Sequence, residues 1–273
     1  MIASLDQIVA ATRRRVADAK RSADLRQLER QAQEHSPRGF RRALAARSRT
    51  GPAVIAELKK ASPSRGLIRP NFEPQHLAQE LETAGAAALS VLTDEEFFQG
   101  SLRNLSRASA ATKLPCLRKD FIVDEFQLLE SRAYGGDAIL LIVAVLSQAE
   151  LAELGRKSAA LGLDVLCEAH DEEELQRALN AGCNLIGVNN RNLQTFKVDP
   201  QTSFRLAEII PKDVVSVAES GINNGSDIAR LHEAGYGAFL IGESLMKAQS
   251  PGDALRSLLA EADRERSRLS ARN

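Results

Sequence analysis

From about residue 50 onward, short apolar runs alternate with longer segments of helical periodicity. The runs are AVIAEL from Ala53, AALSVL from Ala87, LPCLRK from Leu114, AILLIV from Ala138, DVLCEA from Asp164, LIGVNN from Leu185, VVSVAES from Val214 and AFLIG from Ala238. Runs of this length, bounded by turn residues, predict buried strands. Between them, PQHLAQELETAGA, DEFQLLESRAYGG, SQAELAELGRKSAALG, DEEELQRALNAGC and SDIARLHEAGYG space their apolar residues as one face of a helix. Gly136, Gly162, Gly182 and Gly235 follow the last apolar positions, where helix C-terminal caps are expected. The runs recur about every 26 residues, and eight strand–helix units in about 220 residues predict an α/β fold, a (β/α)8 TIM barrel over residues 51–273. A doubly wound sheet shows the same alternation, so the count of eight is the deciding feature.

Residues 1–50 stand outside this rhythm. In SLDQIVAATRRRVADAK, Leu5, Ile8, Val9 and Val16 share one helical face, with Thr12 completing the stripe and Ser4 or Asp6 as N-cap. ADLRQLERQAQE predicts a second helix ending before Pro37. The expectation is a helical extension packed on the barrel, either as plain packing or as a lid beside an anionic ligand.

Charge sharpens that choice. The whole chain balances 36 Lys+Arg against 36 Asp+Glu, which argues against a global field for nucleic acid or membrane. Residues 1–50 carry 12 basic and 5 acidic residues, a net of +7, leaving 24 against 31 in the remainder. No apolar run reaches membrane-spanning length, and the N-terminus lacks the apolar core of a signal peptide. Cys116, Cys167 and Cys183 are expected as small buried side chains in a reducing compartment. The four histidines show no metal-ligand spacing. These features predict a soluble cytoplasmic protein.

Candidate chemistry gathers at the strand ends, where barrels of this type build their sites. Alternation puts Glu57 and Lys59 on one face of the first strand, and Lys119 on the face of Leu117. Glu168 alternates with Leu166, Asn189 and Arg191 with Gly187, and Glu219 with Val217. One charged strand end means only that the strand leaves the core. Five together, on the inward face, predict a polar cavity for an anionic ligand, because enclosed charges must be paired or used. Lysines crowded by other cations there are expected to have depressed pKa values. Gly221 after the seventh strand and Gly242 after the eighth let backbone N–H groups approach a phosphate, the latter at a helix start.

The blocks IAELKKASPSRG, SVLTDEEFFQGS, LRKDFIVDEFQLLESRAYGGDAILLIVAVL, GVNNRNLQTF, VAESGI and LIGESLM, in this order, resemble the indole-3-glycerol-phosphate synthase family of tryptophan biosynthesis over about residues 5–260. The resemblance implies ring closure of 1-(2-carboxyphenylamino)-1-deoxyribulose 5-phosphate with loss of carbon dioxide and water, and no cofactor. It implies Lys119 as the general acid, Glu168 as an acid or base in dehydration, and Lys59, held by Glu57, at the substrate's anionic groups. Asn189 and Arg191 would orient the substrate carboxylate, with Phe98 and Phe121 as walls for its ring. Ser62 would lie in a loop over the substrate, Glu219 and Ser220 on the cavity floor, and Gly221, Gly242 and the Glu243 backbone at the phosphate. Ala61 stands where some members carry a basic residue, and the Glu243 side chain is expected to turn away from the phosphate. A different phosphosugar barrel, such as an isomerase or epimerase, would explain the glycine turns but leave Lys119, Asn189 and Arg191 idle. A non-catalytic barrel would require a broken polar set. Beyond a small anionic substrate, the partners expected are no nucleic acid, no membrane, and at most transient docking to other enzymes of the pathway.

Overall fold

The computed structural model describes residues 4–271. Eight parallel strands close into a barrel: β1 (Ala53–Leu58), β2 (Ala88–Leu92), β3 (Cys116–Lys119), β4 (Ala138–Ile142), β5 (Asp164–Ala169), β6 (Leu185–Asn189), β7 (Val215–Glu219) and β8 (Ala238–Ile241). Each pairs with its chain neighbours, and β1 closes the ring against β8 with Ala53 opposite Ala238 and Ala56 opposite Ile241. The expected strand starts agree with the observed ones to within two residues.

The period-2 alternation sorts the strand side chains into two cores. Inside the barrel lie Ile55, Leu117, Leu140, Leu166, Leu185, Val217 and Leu240, all buried. Between strands and helices lie Val54, Leu89, Ile139, Ile186 and Phe239, packed against helix residues such as Leu77, Leu105, Leu128, Leu154 and Leu255. The barrel is therefore filled below its rim, and a ligand can enter only at the ends of the strands.

The described residues of the extension form three helices: α1 (Leu5–Ser22), α2 (Leu25–Glu34) and α3 (Phe40–Ser48). Ser4 caps α1 in a capping box with Gln7, and Ile8, Thr12 and Val16 of the expected stripe are buried. The periodicity did not reveal α3, whose Phe40 and Leu44 are fully buried against the interior side chains of the barrel. Each such side chain contributes about 1.5–3 kcal/mol of burial. Just before α3, Arg38 clamps the buried Asp137 carboxylate at the start of β4 through Nε (2.9 Å) and Nη2 (2.6 Å). The backbone N–H groups of Arg38 and Cys116 also donate to it, at 2.7 Å each, and His35 Nε2 lies at 3.1 Å. So satisfied, the Asp137 carboxyl is held below the usual range: burial would raise it, but His35 and Arg38 outweigh that.

Two expectations need correction. Gly162, Gly182 and Gly235 adopt the positive φ of helix caps, but in the fourth case the residue is Gly135, not Gly136. Gly136 is needed for space, since a Cβ there would lie 2.8 Å from the Ser131 carbonyl oxygen. Cys167 and Cys183 are also not independent apolar fillers: they form a disulfide between β5 and the turn before β6, with Cα atoms 6.4 Å apart. Strands five and six are neighbours, so residues 16 apart in sequence meet in space. Cys116 alone remains a buried thiol, pushed up to about 12 chiefly by burial. No helix among the described residues is long and apolar enough to cross a membrane.

Candidate active site

A cavity of about 560 Å³ opens at the carboxyl ends of the strands. Every residue singled out from the sequence lines it: Glu57, Lys59 and Ser62 from β1 and its loop, Phe98, Lys119 and Phe121, Glu168, Asn189 and Arg191, Glu219, Ser220 and Gly221, and Gly242 and Glu243. Register explains the convergence. Asn189 lies opposite Glu219, Glu168 opposite Gly187 and Ile142, and Lys119 opposite Leu92, so one layer of the rim collects the polar ends.

Lys119 is the centre of charge. Its Nζ lies 3.3 Å from Glu168 Oε2 and 4.0 Å from Glu219 Oε2. Burial acts to lower its pKa, but Glu168, Glu219 and Glu57 overcome it, and the ammonium is held above its ordinary value. The expected depression by neighbouring cations is thus wrong for Lys119, because its nearest charges are carboxylates.

The two glutamates facing it behave oppositely. Burial would raise Glu168, yet Lys119, His170 and the Asn189 amide hold its carboxylate well below the usual range. Arg191 N–H donates to Asn189 Oδ1 at 3.0 Å, which leaves the amide NH₂ of Asn189 free to face Glu168. Burial and repulsion from Glu168 push Glu219 up instead, against the pull of Lys119, so it tends to carry a proton near neutral pH. Two carboxyl groups in one low-dielectric site with their pKa values driven apart make one ready base and one ready acid.

Glycines make room for these acids. A Cβ on Gly187 would lie 2.1 Å from Glu219 Oε1, and one on Gly242 would lie 2.5 Å from Glu57 Oε1. Gly242, which precedes the helix Glu243–Lys247, is therefore required by the Glu57 carboxylate and not by its own backbone, whose φ is −131°. Gly221 has φ +78° and follows Ser220 at φ +63°, a strained turn in the cavity wall. Glu57 Oε1 accepts from Lys59 Nζ at 2.5 Å, which satisfies an acid only 4% exposed.

The loop after β1 folds into a small antiparallel pair, Ala61 against Leu67 and Ser62 against Gly66, at the cavity edge. Its Arg65 reaches Glu243 at 3.0 Å, and Lys247 reaches the same carboxylate at 2.6 Å. The Glu243 side chain is thus taken up by two cations. Sequence reasoning had assigned no role to either cation.

The extension also reaches the site. Leu5 and Ile8 of α1 line the cavity, and Arg15 donates to Asp94 (2.9 Å) and Asp120 (3.4 Å). Asp94 caps the short helix that carries Phe98, and Asp120 follows Lys119 directly. Asp120 is further held by Thr93 Oγ1 at 2.7 Å and by Arg118 Nη2 at 3.0 Å. Neither aspartate was singled out from the sequence, because their role depends on a helix about 80 to 100 residues away. His170 was also missed; it sits between Glu168 and Glu174.

A closed (β/α)8 barrel with this acid–base pocket at its strand ends defines an enzyme of the barrel class. The chain belongs to the indole-3-glycerol phosphate synthase family, whose sequence profile matches residues 5–258. A curated relative of that name from Koribacter versatilis (strain Ellin345) is 58% identical over 95% of this chain and 100% of its own length. Another, from Desulfotalea psychrophila (strain LSv54 / DSM 12343), is 49% identical over 93% of this chain and 97% of its own. Among solved structures, a mandelate oxidase with benzoyl-formic acid is similar at TM-score 0.61 and 19% identity, covering 80% of this chain and 73% of that one. Thiamine phosphate pyrophosphorylase from Pyrococcus furiosus is similar at 0.58 and 15%, covering 81% and 98%. At such identities those structures speak for the barrel fold only.

Proposed function

We propose that this cavity closes the indole ring of 1-(2-carboxyphenylamino)-1-deoxy-D-ribulose 5-phosphate, giving indole-3-glycerol phosphate, carbon dioxide and water as a carboxy-lyase of tryptophan biosynthesis. The observation that carries the reading is the Lys119 ammonium, set among Glu168, Glu219 and Glu57 in a cavity that Phe98 and Phe121 also line.

In the first step the ring carbon that bears the carboxylate attacks the ketone carbon. The ketone oxygen takes a proton from Lys119 and becomes a hydroxyl, while the ring nitrogen carries the positive charge. Lys119 is protonated at neutral pH, so the donor is loaded before substrate arrives. The carboxylate then leaves as carbon dioxide, and the electrons of the broken bond return to the ring and neutralise the nitrogen. The substrate supplies its own electron sink, and no cofactor is called for. In the last step the hydroxyl departs as water with a proton from an acid, and a base removes a proton from the carbon next to nitrogen. Glu168, held ionised, suits the base; Glu219, disposed to carry a proton, lies beside it as floor and second acid.

The remaining residues hold the substrate. Phe98 and Phe121 suit its aromatic ring, Asn189 and Arg191 its carboxylate, and Lys59 with the loop at Ser62 its anionic end. The backbone at Ser220, Gly221, Gly242 and Glu243 suits the phosphate, where a helix start and a positive-φ turn present N–H groups. The α1 helix is a lid over one side of this mouth, belonging to an extension of residues 1–50 on a barrel of residues 51–273. Such a pathway enzyme works on phosphorylated metabolites of the cytoplasm, which is where we place it. The experiment is direct: purified protein is mixed with the carboxyphenylamino substrate and indole fluorescence is followed. Formation of indole-3-glycerol phosphate supports the reading, and a protein that binds the substrate without forming indole overturns it.

A further inference from the structure

The region behind Glu168 carries a group that the mechanism above does not use. His170 follows Glu168 by two residues, just beyond β5. Its Nδ1 lies 2.9 Å from Glu174 Oε2, and the same oxygen accepts the His170 backbone N–H at 2.8 Å. Glu174 is itself fixed in the first turn of the helix Glu172–Asn180, where its N–H donates to the capping Asp171 side chain. On the other side of the ring, Nε2 faces Glu168 Oε1 at 3.4 Å. That nitrogen is buried and has no well-aligned hydrogen-bond partner among the described residues.

We propose that His170, clamped by Glu174, is a positioning residue that holds Glu168 as the ionised carboxylate of the site and leaves its Oε2 for the reaction. Both ring nitrogens face carboxylates, which accept but do not donate when ionised, so both carry protons and the ring is an imidazolium. The two oxygens of Glu168 are thereby divided: Oε1 faces His170, and Oε2 faces Lys119 in the cavity. The need for a second cation follows from the charge count. Glu57 has Lys59, while Glu168 and Glu219 share Lys119, and two adjacent buried carboxylates cannot both be ionised on one ammonium. A cation on the Glu168 side selects Glu168 to hold the charge and leaves the proton to Glu219.

Among the described residues, the charged groups within ion-pair distance of the ring are Glu168 from β5 and Glu174 from the following helix; the packed segment Val143–Val145 carries none. Consistent with this, burial would lower the His170 pKa, but the two carboxylates push it up to about 10. The bland alternative is that His170 only reinforces the start of the helix Glu172–Asn180, a role that Glu174 and the backbone N–H could fill without the ring.

The inference rests on the proposed reaction only for its kinetic arm. His170→Asn keeps a donor where Nδ1 points to Glu174 and removes the one facing Glu168; His170→Gln puts an amide N–H where Nε2 was. With the carboxyphenylamino substrate, the Asn variant should lose about tenfold or more in kcat with KM changed by less than about twofold. The acid limb of its kcat profile should move to higher pH, because Glu168 has lost a cation that favours ionisation. The Gln variant should recover part of the kcat but keep the displaced limb, since it restores the contact and not the charge. Two variants with the wild-type pH profile and only a lowered Tm would make His170 a helix-start residue and overturn the proposal. A second readout needs no turnover: ¹⁵N-histidine NMR of the wild-type protein at pH 8 should show both nitrogens of His170 protonated, and a neutral ring also overturns it. Were wild-type protein inactive on the substrate, the reaction assignment would fail while the NMR result still decided the state of His170.

Discussion

Gly187 on β6 lies directly against Glu219 on β7, so closely that a Cβ on the glycine would come within 2.1 Å of Glu219 Oε1. The carboxyl occupies the space that any other residue would fill, and it is 2% exposed, with Leu166 also beside the glycine. Gly187→Ala should therefore displace Glu219 toward Lys119 and Glu168. We expect a stability loss of about 1–3 kcal/mol from overpacking and a fall in kcat of roughly 10²-fold from displacement of the Glu219 carboxyl, if it acts as proposed. Denaturant unfolding and steady-state kinetics on one preparation check both; an alanine variant with wild-type kcat would mean that Glu219 has no part in the chemistry.

Lys119→Met keeps length and apolar stem and removes the ammonium. We expect a folded protein whose kcat falls by about 10²–10⁴-fold, the usual contribution of a general acid. Its Tm should fall, because the buried Glu168 loses the foremost group that holds it ionised, but the protein should stay folded, since His170 and the Asn189 amide remain and Glu219 is already inclined to its protonated form. Near-normal turnover would take the acid role from Lys119.

The same groups set a pH dependence of stability. His170 has an ordinary pKa of 6.5 and is pushed up to about 10 in the folded protein. Between those values the folded state binds the proton more tightly than the unfolded one. The contribution is complete below pH 6.5 and is lost as pH rises toward about 10. Glu219, also raised, acts in the same direction from its ordinary pKa upward, whereas the lowered Glu168 loses its contribution as pH falls below its ordinary range. Urea unfolding from pH 6.5 to 10 should show falling stability in the wild type and a shallower fall in His170→Gln. Equal slopes would show that the ring titrates alike in both states.

The N-terminal extension divides into a part that lies at the cavity and a part that lies in the barrel core. Leu5, Ile8 and Arg15 of α1 touch the cavity or the loops that frame it, whereas Phe40 and Leu44 of α3 are buried in the barrel interior. Deleting residues 1–22 should raise KM and flatten its dependence on salt, with a smaller effect on kcat than Lys119→Met has. Deleting residues 1–45 should instead leave a protein that melts early or fails to fold. An unchanged KM in the shorter truncation, with circular dichroism showing a folded protein, would reduce α1 to packing.

Asp137 and Arg38 make the foundation of the barrel's lower face testable. Asp137→Ala removes the acceptor for two backbone N–H groups and leaves the Arg38 guanidinium without its counter-charge, held only by neutral oxygens of Ser109, Thr112 and Gly135. Breaking a buried pair from one side costs about 3–5 kcal/mol. Thermal and denaturant unfolding should show this loss, while KM at a temperature where the variant is folded should match the wild type, since the cluster lies at the opposite end of the strands from the cavity.

The chain's own pattern determined the eight strands and the faces of Glu57, Lys119, Glu168, Asn189 and Glu219, because strand alternation is a local property with a period of two. Local periodicity likewise determined α1 and α2. Only the closed barrel decided which charges meet. Lys119 and Glu168 are 49 residues apart in sequence and 3.3 Å apart in space, so the sign of the Lys119 shift could not be read from its own strand. The disulfide between Cys167 and Cys183, the α3 plug, Gly187 as the space for Glu219 and the ring of His170 behind Glu168 are of the same kind. Each depends on the distance between side chains carried by different elements. Periodicity fixes the face on which a side chain stands, but pairing, desolvation and steric room depend on what stands opposite, and closure of the barrel alone brings those groups together.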